Sequence, residues 1–93
     1  MIDRQQFLMR ARLEAHTLEA WIEEEWLIPR REGEAEDFSE TDVARAQLIR
    51  DLKTDIGVND EAVAVILHLI DQLHGLRRTL QEVLRQDRVQ TGE

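Results

Sequence analysis

Cysteine and tyrosine are absent from this chain, proline occurs once, and two tryptophans and two phenylalanines are its whole aromatic complement. Without thiols there is no disulfide framework and no thiolate metal site, which fits a reducing compartment. One proline and four glycines leave few positions for long structured loops. No stretch approaches the roughly 20 apolar residues of a membrane span, and the polar N-terminus has no signal-peptide core. A cytoplasmic location away from any membrane is therefore expected. Nor is there a glycine-rich phosphate loop, or a nucleophile paired with a base, so neither enzymatic activity nor a cofactor is expected.

Metal binding is also disfavoured. His68 and His74 are six residues apart, roughly 600° around a helix, so they point to different sides and cannot share one ion. His16 reads as a turn residue.

What is present is a chain of 93 residues, suited to one small core, rich in Glu, Arg, Gln, Leu and Ala. That composition favours helix over sheet. The net charge of −8 is unevenly placed: between Glu14 and Asp42 there are eleven acidic residues against two basic ones, Arg30 and Arg31. The remainder is nearly balanced. The ordinary reading of such a run is a solvated face. If it is a contact, its partner is basic.

The centre of that segment is Thr17 to Pro29. Leu18, Trp21, Ile22 and Trp26 recur at helical spacing, while Glu19, Glu23 and Glu24 take the opposite face. Pro29 must follow the end of the helix, expected near Trp26. Before it, Asp3 with Gln6 three residues on signals a first helix to about Ala11, with Phe7 and Leu8 inward and Met9 or Ala11 completing the stripe. Arg4, Arg10 and Arg12 are expected in water. Leu13 to Ala15 would form a tight turn, giving a helix-turn-helix.

Arg30 to Asp37 carries Gly33 and reads as a loop or a minimal β-hairpin wing, with Leu27, Ile28 and Phe38 available to pair across it. Phe38 is a core plug. Ser39 with Asp42 marks a third helix whose buried stripe is Val43, Ala46, Leu48 or Ile49, and Leu52. Arg45, Arg50 and Lys53 face solvent. Gly57 is free to take the left-handed angles that stop this helix, with Ile56 and Val58 anchoring the turn.

Asn59 then caps a long helix to about Asp87. Its first half, Val63, Ile66, Leu67 and Ile70, is dense enough to pack on the preceding domain. Its second half spaces Leu69, Leu73, Leu76, Leu80 and Val83 by fours and threes, a narrow seam of coiled-coil type. A self-paired homodimer is the favoured use of that seam. The expected organisation is a domain over 1–58 and a long C-terminal helix over 59–93. The fold class is all-α with at most a minimal hairpin wing.

Trp-Leu-Ile-Pro after a short helix resembles the close of the second helix in MerR-type regulators, where that helix lies in the DNA major groove. Positions matching the family's basic contacts are Glu19, Glu23 and Glu24 here, and its glycine is Glu25. A polyanion is bound by neutralising phosphates with Lys and Arg, so nucleic acid is an unfavourable partner. Three further stretches, Leu27-Ile28-Pro29-Arg30, Val43 to Leu52 and Val63 to Leu73, make the chain similar to CbpM, a bacterial family of chaperone modulators on the MerR-like scaffold. That resemblance implies capture of the J-domain of a CbpA/DnaJ-like co-chaperone and inhibition of its stimulation of the Hsp70 protein DnaK. J-domains offer DnaK a basic helix. By position Glu19, Glu23 and Glu24 would meet that helix, Trp21 would anchor it, and Glu40 and Asp42 would form the rim. The alternative is a MerR-type DNA-binding transcription regulator, which would have to use Arg4, Arg10, Arg12, Arg30 and Arg31.

Overall fold

A computed structural model describes residues 2–91, with side chains to residue 87. The chain forms α1 (Arg4–Ala11), α2 (Ala15–Glu23), β1 (Arg30–Glu32), β2 (Ala35–Asp37), α3 (Glu40–Arg50), a π-helical turn (Asp51–Ile56) and α4 (Asp60–Thr91). It divides into two compact units, Met1–Val63 and Ala64–Glu93. The elements are those of a MerR-like winged helix-turn-helix followed by a long C-terminal helix.

The first unit is organised by its caps. Asp3 accepts the amide of Gln6 at 2.8 Å and opens α1. Ser39 and Asp42 form a reciprocal capping box at the start of α3, at 3.1 and 2.9 Å, and Asn59 accepts the amide of Ala62 to open α4. Each satisfies amides that no helical partner can reach. Gly57, at φ 78°, ends the π-helical turn in the expected left-handed conformation. The turn itself was not expected. The helix widens at Asp51 before Gly57 stops it, and Ile56 is 69% exposed, so Ile56 does not anchor the turn.

The two helices of the helix-turn-helix end in the same way. After α1, the amide of Arg12 reaches the carbonyl of Met9 and the amide of Leu13 that of Leu8. After α2, Glu25 reaches Ile22 at 3.0 Å and Trp26 reaches Trp21 at 2.9 Å. These paired five-to-two and six-to-one bonds are Schellman motifs, which put one residue in the left-handed region. That residue is Arg12 (φ 57°) in the first and Glu25 (φ 61°) in the second. The α2 helix therefore stops at Glu23, three residues short of Trp26, because the Trp26 amide folds back over the helix end. Trp26 is buried, but in the loop and not on the helical stripe.

The core of this unit consists of apolar side chains, with no buried polar or charged residue among those described. Phe7 and Phe38 stack at 4.1 Å between ring centroids with planes 17° apart, and α1 packs on α3. Phe38 plugs the core as expected. Ala11 completes the α1 stripe and Met9 stays 74% exposed, since Ala11 lies four residues from Phe7 on one helix face and Met9, two residues on, does not. On α3, Val43, Ala46 and Ile49 are buried and Leu48 half-buried, and Leu52 in the π-helical turn continues the buried stripe.

The wing is a true hairpin, paired Arg30 to Asp37, Arg31 to Glu36 and Glu32 to Ala35. Gly33, at φ 64°, supplies the positive angle its two-residue loop requires. Leu27 and Ile28 lie outside the ladder, and Phe38 pairs with Ile2 across the base. Within α4, Val63 and Leu67 are buried and Ile66 and Ile70 half-buried. In the second unit Leu69, Leu73, Leu76, Leu80 and Val83 are 48–68% exposed.

Candidate functional site

The outward face of α2 is built from carboxylates, and the structure sorts them into those with a partner and those without. Glu19 is engaged: Nη1 of Arg4 lies 2.5 Å from its carboxylate. The same guanidinium grips Glu36 on β2 with two hydrogen bonds, at 2.6 and 2.9 Å. Arg31 adds a contact to Glu36 at 3.4 Å. These bonds raise the Arg4 pKa, Glu36 contributing more than Glu19, and hold the Glu36 carboxyl below its ordinary range. Arg4 does not stay in water as expected. Sequence spacing carried no sign of this, since the three residues come from three separate elements.

Glu40 is likewise engaged. Arg10 donates to both of its carboxylate oxygens, at 2.8 and 2.5 Å, which raises the Arg10 pKa and lowers that of Glu40. Arg10 is therefore also not a free cation. Asp42 is committed to the capping box. Glu40 and Asp42 line a cleft of about 500 Å³ with Ile2, Ile28 and Phe38, at the base of the wing and not on α2.

Trp21 is 6% exposed and sits in the core beside Trp26. It offers a partner little surface. Trp26 is held from three sides: its carbonyl accepts Nε of Arg45 at 2.6 Å, the Lys53 ammonium lies 5.5 Å from its ring centroid, and its ring faces Trp21. Arg45 and Lys53 are thus structural and not free solvent-facing cations. Lys53 also pairs with Asp60.

Left over are Glu23, Glu24 and Glu25, exposed and with no side-chain hydrogen bond or ion pair among the described residues. They occupy the last turn and Schellman loop of α2, where the helix dipole is negative and unsatisfied carbonyls gather. Acids are unfavourable there by about 0.3–1 kcal/mol each. The last turn contains no basic residue to offset them. Glu25 adds a left-handed backbone angle to the same three residues.

Among the described residues no group of three or more His, Asp or Glu side chains is placed to hold a metal ion, and no helix is long and apolar enough to cross a membrane.

A helix-turn-helix closed by two Schellman turns, a hairpin wing after the second helix, and a long terminal helix are the parts of one architecture. A family profile described as MerR HTH family regulatory protein matches residues 2–86. The chain belongs to this family. Neither the curated proteins nor the solved structures contain a significant match. In the MerR framework α2 stands at the place of the recognition helix. From Ala15 to Glu23 it holds no Lys or Arg. Its exposed positions are instead Ala15, His16, Glu19, Ala20 and Glu23, with Glu14 at the N-cap. Glu25 stands where the MerR-type pattern has glycine, and its left-handed angle explains that glycine. Sequence comparison alone exposed the substitution; only the structure shows its conformational cost.

Proposed function

We propose that this MerR-family chain is a non-enzymatic binding module of CbpM-like type, which captures the basic helix of a CbpA/DnaJ-like J-domain and so prevents stimulation of Hsp70. The observation that carries the reading is the set of three partnerless carboxylates, Glu23, Glu24 and Glu25, at the negative end of α2. A helix end carrying that much uncompensated charge is stabilised by a cation from outside. Duplex DNA would meet the reverse, with phosphates facing carboxylates and no arginine on the helix to neutralise them. Glu19 is a secondary contact, since Arg4 already shares its charge, and Glu40 and Asp42 belong to the fold before they belong to a partner. The protein acts as a homodimer through Leu69, Leu73, Leu76, Leu80 and Val83, and works in the cytoplasm.

The test is capture of a purified J-domain by the immobilised full chain over a salt series, with a duplex gel-shift in parallel. Capture that weakens with salt and is lost in Glu23→Lys/Glu24→Lys supports the reading. Salt-sensitive duplex binding with no J-domain capture assigns the chain to the DNA-binding regulators instead.

A further inference from the structure

We infer that Arg4 is the positioning residue that joins α2 and the wing into a single preformed surface for a cationic helix, an inference that rests on the function proposed above. The wing has little of its own to hold it. All three residues of β1 are exposed, and a two-stranded hairpin this short has marginal stability in water. Among the described residues, two hydrogen-bonded attachments tie it to the rest of its unit. One is the main-chain bridge between Ile2 and Phe38 at its base, at 3.2 and 2.9 Å. The other is Arg4, which reaches the middle of β2.

The geometry of that second attachment is specific. Nε and Nη2 of Arg4 donate to the two oxygens of Glu36, while Nη1 donates to Glu19 on the recognition helix. A planar guanidinium with donors in a rigid fork can serve two carboxylates at once; an ammonium on a flexible stem is a point charge and does not fix their relative direction. The Glu36 side chain is 11% exposed and that of Glu19 is 60% exposed. The inner carboxylate is thus a clamp and the outer one stays within reach of a partner. Held this way, the exposed wing acids Glu32 and Glu34 keep a fixed placement relative to Glu23 and Glu24. A partner then meets a surface whose ordering is already complete, and a preformed surface gains affinity by lowering the entropic cost of binding. The gain appears mainly in the dissociation rate.

The experiment compares the full-length wild type with Arg4→Gln, Arg4→Lys and the charge-swapped Arg4→Glu/Glu36→Arg. Amide hydrogen exchange over residues 30–37 reports the wing, and association and dissociation rates with a purified J-domain report the surface. In Arg4→Gln the wing amides exchange roughly tenfold faster and dissociation accelerates by about the same factor, as loss of charge-assisted hydrogen bonds implies. Association does not slow, because a positive charge has left an acidic surface. The swap re-forms the pair with the wing but turns a carboxylate toward Glu19, so it slows wing exchange again while dissociation stays fast. Arg4→Lys, the variant to rely on should Arg4→Gln not fold, shows the same direction with smaller amplitude. A merely structural arginine would lower the melting temperature and leave dissociation from folded molecules unchanged. Unaltered wing exchange, or a loosened wing with unaltered dissociation, overturns the inference. The function proposed above fails separately, if Glu23→Lys/Glu24→Lys still captures the J-domain.

Discussion

Trp21 and Trp26 face one another across the end of α2, their ring centroids 6.2 Å apart and their planes tilted by 45°. They are the third residue from the helix end and the second after the cap residue Glu24, the pair whose apolar contact accompanies a Schellman motif. The aromatic contact and the six-to-one hydrogen bond therefore fix the same turn. Trp26→Ala removes the packing and the contact with Lys53 together, while the backbone carbonyl that seats Arg45 remains. It should cost about 3–5 kcal/mol, measured by chemical denaturation. Trp26→Phe should recover more than half of that loss.

Glu25 holds a left-handed backbone angle that glycine adopts freely. Glu25→Gly should raise stability by about 0.5–1 kcal/mol, the relief of strain being partly offset by a more flexible unfolded chain. It also removes one of the three partnerless carboxylates. A melting-temperature increase accompanied by weaker J-domain capture is the expected outcome.

The same opposition should hold for charge alone. Glu23→Lys places a cation at the negative end of the α2 dipole and should stabilise the folded chain by about 0.3–1 kcal/mol. Capture should fall by tenfold or more. Side-by-side thermal melts and binding isotherms decide this, and a variant that loses stability and capture together would contradict it.

Acid should act through Glu36. Its folded-state pKa is depressed, chiefly by the Arg4 hydrogen bonds, below the unfolded carboxyl value of about 4.3. The stabilisation is fully present above that unfolded value. It is lost as pH falls through the lower folded value. The stability difference between wild type and Glu36→Gln should thus be constant near neutrality and shrink below about pH 4. Urea denaturation at a series of pH values measures it.

The seam on α4 makes a prediction about assembly. Leu73 and Leu80 are 57% and 58% exposed, and Leu73→Asp/Leu80→Asp would place charges at a paired apolar seam. Sedimentation should show a dimer becoming a monomer, with the helix-turn-helix unit still folded by its tryptophan fluorescence.

Much of the fold was legible because it is written in short-range chemistry. Asp3, Ser39 with Asp42, Asn59 and Gly57 each act within a few residues of themselves, and each cap was readable from spacing alone. Phe38 and the α3 stripe were readable for the same reason. The end of α2 was not, since Trp26 continues the helical spacing and only backbone hydrogen bonding shows that it has left the helix. The wing was visible as a possibility through Gly33, but its ladder lies beyond Leu27 and Ile28. Least legible were the ion pairs. Arg4 to Glu36 and Arg10 to Glu40 are 32 and 30 residues apart in sequence, and their partners follow from the fold. For that reason Glu19 looked equivalent to Glu23 and Glu24, Glu40 looked free to form a rim, and Trp21 looked available.

The outer side of β1 has one more consequence. Its amides and carbonyls are unpaired among the described residues, an arrangement that in many proteins invites strand-to-strand polymerisation. Here the strand is three residues long, is charged at each position and follows directly on Pro29. A neighbouring molecule finds too short and too polar a template to extend, so the hairpin can project into solvent without seeding fibrils.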